Sequence, residues 1–432
     1  MQSLWTELTE LPSFPALNKD IKTDVLIIGG GIAGLLTAYM LKQKGVTCVL
    51  VEKEKICHAT TALTTAKITF QHGLIYHKIL KSLGSDAAQK YLYAGKTALE
   101  NFEALSQNIS CDFEKKTNFV YSTNNKKLLE KEILALDIIG FNAKFYDSVD
   151  LPLKTAGAVA FENQAQFNPL KFINSICNNL NIYENTNIKE LIGTTAYTDK
   201  FKIYAKKVIV ATHFPFINRH GCYFLKMYQH RSYVLALKKA VTLDGMYVDE
   251  AKVGYSFRNY GDLLLLGGGD HRTGKKGGAF NELRQFSRVH YPQSKEVYHW
   301  AAQDCITLDE LPYIGQYSKN TPDVYVATGF NKWGMTSAMT AATLLSDAVV
   351  DIKHDYADIF NPSRSILKPQ LLINGVETTA NLITPTKPRC THLGCALKWN
   401  KYEHSWDCPC HGSRFSNEGR VLENPATDNL QI

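Results

Sequence analysis

Glycines at positions 29, 31 and 34, directly behind the apolar run Asp24-Val-Leu-Ile-Ile28, constrain this chain more than any other feature. A short apolar run bounded by glycine has the pattern of a buried parallel strand. Gly29-x-Gly31-x-x-Gly34 lets the backbone turn tightly and approach a pyrophosphate, whose charge rests on the N-terminus of the next helix. Ile32, Leu35, Leu36, Tyr39 and Met40 follow at helical spacing, with Lys42 and Lys44 in the last turn and Gly45 at the C-cap position. A second strand, Thr47 to Val51, ends in Glu52, 18 residues past Gly34 and placed to accept hydrogen bonds from ribose hydroxyls. A lone glycine triplet is a weak signal. The ordered series of strand, glycines, helix, strand and acid reads as a dinucleotide site rather than a glycine-rich turn of another α/β protein.

The chain has 432 residues, which suggests two or three packing units at ~150 residues each. Hydrophobic residues make up 45% and charged residues 21%, the balance of a soluble globular protein. Lys and Arg number 48 against 41 Asp and Glu, a net +7 without a dominant basic run. Neither nucleic acid nor anionic lipid is implied as a partner. The start, MQSLWTELTELPSF, carries Glu7 and Glu10 and lacks the basic start and apolar core of a secretory signal. Val25 to Leu41 is uncharged over 17 residues, short of the ~20 a membrane span needs. A cytoplasmic protein without a membrane span is expected.

Gly267-Gly268-Gly269 follows the strand-like Leu263 to Leu266, but Asp270-His-Arg-Thr-Gly-Lys-Lys behind it has neither a third glycine in place nor an apolar helical pattern. It reads as a tight turn or close packing in a sheet. The second dinucleotide motif of a flavin enzyme reduced by NAD(P)H is therefore missing. The nucleotide-domain pattern returns later: Val208 to Thr212 and Asp323 to Thr328 as strands, Gly329-Phe-Asn-Lys-Trp-Gly334-Met335 as a turn, and Thr336 to Val350 as a helix.

Ile27 to Gly34, Glu52, Val208 to Thr212, Asp309 to Gly315 and Gly329 to Met335 resemble FAD-dependent oxidoreductases of the D-amino-acid oxidase, glycine oxidase and sarcosine oxidase superfamily, over roughly residues 20–355. The resemblance implies an α/β fold: a Rossmann-like FAD-binding domain (about 20–75, 150–215 and 300–355) with an inserted α+β substrate domain (about 76–149 and 216–299). It further implies oxidation of a C–N bond by hydride transfer to FAD. Gly329, Gly334 and Met335, with the helix behind them, would face the flavin N1–C2=O edge, where a helix N-terminus stabilises negative charge. Lys332 adds a cation there or is a solvated loop lysine. Thr65 and Lys67 match the region that contacts flavin, and His72 stands at the flavin face or serves as a structural histidine. Arg258 is the first candidate to hold a substrate carboxylate, with Arg231 and His271 beside it. Thr307-Leu-Asp-Glu310 matches the segment that in some sarcosine oxidases marks a covalent flavin cysteine five residues upstream. Ala302 stands at that place and Cys305 is out of register, so non-covalent FAD is expected.

Six of the ten cysteines stand alone; Cys390, Cys395, Cys408 and Cys410 fall within the last 43 residues, together with His392, His404 and His411. Without an export signal, such a cluster favours a metal site over a disulfide framework. Cys390-Thr-His392 and Cys408-Pro-Cys410-His411, with 15 residues between His392 and Cys408, present two thiolates and two imidazoles from facing loops. That set suits a [2Fe–2S] cluster with one iron on sulfur and one on nitrogen. Zinc accepts the same donors and is the competitor, although it needs none of the surrounding Leu-Gly-Cys and Gly-Ser residues.

Cys390-Thr-His-Leu-Gly-Cys395 and Cys408-Pro-Cys-His-Gly-Ser413 resemble Rieske domains of the cytochrome bc-complex kind. By that resemblance Cys390 and Cys408 bind one iron, His392 and His411 bind the other, and Cys395 and Cys410 pair as a disulfide; His404 is a loop residue. Ser413-Arg-Phe415 replaces Ser-x-Tyr, so one hydroxyl donor is gone and the potential should sit lower in the range of roughly −150 to +300 mV. A small all-β Rieske-type module is expected over 370–432 behind a linker at 356–369, shortened because 27 residues separate Pro362 from Cys390. The combination resembles bacterial amine-oxidising flavoproteins of the gamma-glutamylputrescine oxidoreductase-like kind. It implies a dehydrogenase that takes an amine or amino acid and sends electrons through the cluster to an unknown acceptor. The alternatives are a redox-sensing or docking protein and a plain oxidase using O₂.

Overall fold

The computed structural model describes residues 3–217, 220–385 and 388–431. Its first sheet runs in the order Tyr313–Gln316, Val324–Thr328, Lys202–Val210, Ile21–Ile28, Cys48–Val51, Ile182–Tyr183. Ile21–Ile28 pairs in parallel with Lys202–Val210 on one side and Cys48–Val51 on the other. Val25, Leu26 and Ile27 are buried, as a parallel strand covered on both faces requires. Helices Ile32–Gln43 and Gly334–Val349 pack together against this sheet, with Leu35, Leu36, Ala338, Ala341 and Ala342 in one core.

The second sheet orders Lys295–Thr307, Met227–Lys238, Leu263–Arg272, Ser256–Tyr260, Gly245–Asp249, Glu114–Ser122, Gly157–Gln166 and Lys67–Ile68. Gly157–Gln166 and Lys295–Thr307 thus belong to this sheet, which moves the boundaries expected at 150 and 300. Residue alternation marks a strand but not its sheet, and pairing with Glu114–Ser122 and Met227–Lys238 decides the matter.

The stretch expected as a linker is tied down. Ile359 and Phe360 are buried in the core. The Arg364 guanidinium forks onto Asp309 at 2.7 and 2.8 Å and stacks on Tyr313 at 3.8 Å. Helix Pro369–Ile383 then fills most of the short run before Cys390. The C-terminal sheet is an antiparallel meander of Lys398–Asn400, Ser405–Asp407, Arg414–Ser416 and Val421–Glu423, packed around Cys390, Cys395, Leu397, Cys408, Cys410 and Phe415. No helix among the described residues is long and apolar enough to cross a membrane.

The C-terminal module docks on the second sheet through a buried ion network. Arg231, 2% exposed, donates from Nε to Glu403 Oε1 at 3.1 Å and from Nη2 to Oε2. Arg414 approaches the same Oε2 at 2.8 Å and Asp407 at 2.9 Å, and the Tyr233 hydroxyl donates to Glu403 at 3.1 Å. Burial alone would raise the Glu403 pKa, but Arg231 and Arg414 override it and hold it at about 2. Removing one partner of a buried pair costs on the order of 3–5 kcal/mol. Arg231→Met should therefore bring the urea unfolding transition of the module to lower denaturant. In the unaltered protein, the stability tied to Glu403 should be complete above its ordinary value of 4.5 and be lost as the pH falls toward about 2, an amount of roughly 3 kcal/mol. Acid titration followed by circular dichroism measures it.

Candidate functional site

A cavity of about 1080 Å³ runs between the two sheets and is closed on one side by the C-terminal module. It exceeds the roughly 300–1,000 Å³ of an ordinary small-molecule pocket. At one end lie the glycines. Gly29 has φ +114° and a Cβ there would stand 2.5 Å from Ala211 O; one at Gly34 would stand 2.0 Å from Gly29 O. Glycine at both places is a requirement of the protein itself. Gly31 differs: the nearest atom to a Cβ is Thr61 Oγ1 at 3.4 Å, and the residue faces the cavity. The Glu52 carboxylate is pinned by the amides of Gly30 at 2.7 Å and Glu54 at 3.1 Å. Burial raises its pKa, and those two amides oppose the rise. Thr61 accepts the Ile32 amide at 3.1 Å and so caps the helix, a role that sequence spacing does not announce.

Toward the middle, Thr65, Lys67, His72 and Gly329 to Met335 line the same cavity. Gly329 has φ +71° and its Cβ position lies 2.3 Å from Thr307 Cγ2, while Gly334 faces open space and Met335 is buried. Asn331 (φ +51°) and Lys332 (φ +72°) follow in the left-handed region, a strained pair of the kind that collects at functional sites. Asn331 holds the turn by accepting the Thr307 amide at 2.8 Å and donating to Gly329 O at 2.7 Å. The backbone N–H groups that open helix Gly334–Val349 lie at this wall, an anion-stabilising end. Open space at Gly31 and Gly334, the capped helix and the Glu52 carboxylate together fit a dinucleotide with its attached ring.

Several expected side chains turn out to be engaged elsewhere. Arg258 is fully buried and does not line the cavity: its guanidinium sits 5.3 Å over the Trp5 ring and its Nη1 donates to Ala66 O at 3.4 Å. Its charge is felt through Lys67, where burial, reinforced by Arg258, lowers the pKa to about 7. Arg231 is committed to Glu403, and His271 to the Tyr233 hydroxyl at 2.9 Å and Arg272 O at 2.9 Å. Arg258 is set back from the cavity, with its Nε and Nη2 buried and unpartnered, while Arg231 lines the cavity with two nitrogens on Glu403 and its Nη1 without a hydrogen bond. A lone sequence cannot say which strand face meets a cavity or that Trp5 and Glu403 arrive to cover these residues. His72 stacks on Trp333 at 5.2 Å, with Nδ1 at 2.7 Å from the Tyr91 hydroxyl and Nε2 at 2.9 and 2.8 Å from Thr69 O and Thr336 Oγ1. Burial drops its pKa to about 3, so it is neutral with both nitrogens engaged. It positions the wall and offers no proton-exchanging atom. Lys332 keeps its place at the cavity and pairs with Asp270 at 2.8 Å.

The residues that sequence reading missed are on two neighbouring strands. Tyr228, His230, Ser232 and Val234 face the cavity from Met227–Lys238, as do Ala302, Asp304 and Ile306 from Lys295–Thr307. His230 and Asp304 are cross-strand partners. Between these residues, Gln229 and Gln303 point the other way. Gln229 Nε2 donates to His411 O at 2.8 Å and Gln303 Nε2 to Gly412 O at 2.8 Å. A period-two alternation was the only signal in the sequence. Cys305 lies on the far face, buried in a core, and does not reach the cavity.

The two Cys-His loops repeat one design. In each, the first cysteine amide pairs with a carbonyl five residues on (Cys390 to Cys395 O at 2.9 Å, Cys408 to Ser413 O at 2.8 Å). A glycine at positive φ, Gly394 or Gly412, returns its amide to that cysteine's carbonyl. Cys395 and Cys410 are joined as a disulfide. Although the Sγ of Cys408 lies within 4.8 Å of both bridged sulfurs, the bridge removes those two as metal donors and leaves Cys390 and Cys408. Their thiols hydrogen-bond; that contact, aided by the His392 amide and the Ser413 hydroxyl, lowers the Cys390 pKa against the effect of burial. The His392 and His411 rings stand 5.2 Å apart, and His411 Nδ1 is buried without a hydrogen-bond partner. Two adjacent thiols and an orphaned imidazole nitrogen fit a cluster held by sulfur and nitrogen. Phe415 is fully buried and packs in the same core as Cys390 and Cys408. His404 sits in an exposed turn outside this group.

Comparison with known proteins agrees with both halves. The family described as FAD dependent oxidoreductase matches residues 24–348, and the Rieske [2Fe-2S] domain matches residues 367–432. The Rieske 2Fe-2S iron-sulfur protein YhfW of Bacillus subtilis (strain 168) is 35% identical over 496 aligned residues, covering 100% of this chain and 97% of that protein. Cytochrome b6-f complex iron-sulfur subunit 2 of Synechocystis sp. is 40% identical over 62 residues, 14% of this chain and 33% of that subunit. Among solved structures, L-proline dehydrogenase from P. horikoshii superposes with a TM-score of 0.67 at 16% identity, covering 80% of this chain and 98% of that one. Glycine oxidase from Geobacillus kaustophilus gives 0.66 at 18%, covering 80% and 99%. At these identities the two structures establish a shared fold.

The glycine geometry separates two kinds of failure. Gly34→Ala should prevent folding of the dinucleotide half. Gly31→Ala should give folded protein with unchanged iron content and circular dichroism spectrum, and at least a tenfold loss of bound flavin measured by the fluorescence of flavin released on denaturation.

Proposed function

Because the chain belongs to the FAD dependent oxidoreductase family and carries a Rieske [2Fe-2S] domain, we propose that it is a dehydrogenase for the C–N bond of an amine or amino acid. When bound, FAD supplies hydride acceptance from the carbon next to nitrogen, and the cluster supplies one-electron transfer toward an external acceptor. Glycine oxidase and L-proline dehydrogenase, two proteins of this fold, carry names of that substrate class. FAD would be held by Gly29, Gly31, Gly34, Glu52, Thr65, Lys67, Gly329, Gly334 and Met335. Cys390 and Cys408 would hold one iron, and His392 and His411 the other.

The chain's own residues have distinct tasks in this reading. The opening amides of helix Gly334–Val349, with Lys332 beside them, favour negative charge at the adjoining wall. Asp304 and His230 present polar groups to a substrate from the opposite wall. His72, neutral and saturated, keeps Trp333 in place.

One observation carries the reading of electron exit. A single layer of sheet separates the cavity from the second ligand loop: His230 and Asp304 face the cavity, while their chain neighbours Gln229 and Gln303 hold His411 and Gly412. Cavity and cluster loop are thus a strand's thickness apart. Anaerobic mixing of cluster-loaded enzyme with candidate amines and amino acids should bleach the flavin and then produce the electron paramagnetic resonance signal of a reduced Rieske cluster. Bleached flavin beside a cluster that stays oxidised, with stoichiometric H₂O₂ once air is admitted, would show an ordinary oxidase instead.

A further inference from the structure

The second ligand loop offers four consecutive carbonyls, and each accepts from a side chain of the flavin half. Arg272 Nε donates to Pro409 O at 3.1 Å and Nη2 to Cys410 O at 3.0 Å. Gln229 takes His411 O and Gln303 takes Gly412 O, both at 2.8 Å. The clamp is braced from behind. Gln303 also donates to Gln229 Oε1 at 2.7 Å, and the Thr273 hydroxyl donates to Gln303 Oε1 at 3.0 Å. The remaining Arg272 nitrogen, Nη1, donates to Asn374 Oδ1 at 2.9 Å on helix Pro369–Ile383, and the guanidinium stacks on Tyr228 at 4.8 Å.

Arg272 differs from the two glutamines in carrying charge. An arginine stays protonated in any protein setting. Among the described residues it makes no ion pair: Glu377, the acid that acts on it most, is bonded to Lys275 at 2.7 Å. A cation without a carboxylate in contact therefore lies against the loop that bears Cys408 and His411. A [2Fe–2S] cluster gains one negative charge on reduction, and a cation in a low-dielectric setting stabilises that charge.

We propose that Arg272, a residue of the flavin half, is a positioning residue for the Rieske cluster that raises its reduction potential by its charge. This goes beyond the proposed substrate and electron path, since it concerns the cluster alone.

The test is a redox titration of full-length, cluster-loaded protein followed by the resonance signal of the reduced cluster, with the flavin potential read in the same run. Arg272→Gln should lower the reduced-to-oxidised ratio of the cluster at least tenfold at fixed ambient potential, a downward shift of about 59 mV for a one-electron couple. The flavin potential should move far less. Arg272→Lys should recover most of the shift, and Gln229→Leu, which loosens the clamp without changing charge, should leave the potential where it was. An unshifted Arg272→Gln with full iron and sulfide overturns the proposal. So does a lysine variant as low as the glutamine one. Arg272→Gln that holds no iron while Gln229→Leu loads normally would make Arg272 a purely structural anchor and would also refute it.

Discussion

A β-strand shows its side chains alternately to two faces, and in this molecule both faces of the same two strands are in use. Met227–Lys238 and Lys295–Thr307 wall the cavity with His230, Ser232, Ala302 and Asp304 and hold the ligand loop with Gln229 and Gln303, while Arg231 and Tyr233, beside a shift of register, reach both the cavity and Glu403. Because the two sets interleave, a shift of register by one residue would expose His230 and Asp304 to the module and turn Gln229 and Gln303 into the cavity. The pairing of His230 with Asp304 across the strands fixes this arrangement. The cavity, the docking of the module and their separation all follow from it.

Electrostatics give the docking its specificity. Arg231 and Arg414, one from each half, converge on a single buried carboxylate, Glu403, and Asp407 satisfies the second arginine. Apolar packing can often replace such a network without loss, yet an incomplete one leaves a charge stranded in the interior. The halves therefore fit in one orientation. Two of the three Arg231 side-chain nitrogens are thereby taken up by Glu403.

Motifs whose chemistry is local were readable from the chain. The glycine series with Glu52 lies within one strand-helix-strand unit, its Gly30–Glu52 bond spanning 22 residues, and the two Cys-His loops fold on themselves through hydrogen bonds spanning four or five residues. The small sheet and the parallel sheet followed from them. The surroundings of Arg258, Arg231 and His271 were not legible because their partners come from far along the chain: Trp5 for Arg258, Glu403 for Arg231, and Tyr233 for His271. Composition and spacing identify an arginine on a strand but not what will be packed over it. The domain edges slipped for the same reason, since Gly157–Gln166 acquires its sheet only by pairing with a distant strand. Asp304 and Gln303 carried no motif; they gained meaning from the strand opposite.

The run of peptide groups from Pro409 to Gly412, each anchored to the flavin half, has a kinetic corollary. A head secured at four successive carbonyls has no hinge stroke to make, so the distance any carrier must bridge is frozen into the fold. Charge transfer across such a fixed gap is governed by driving force and local polarity, and viscosity or tether length should be irrelevant to its pace.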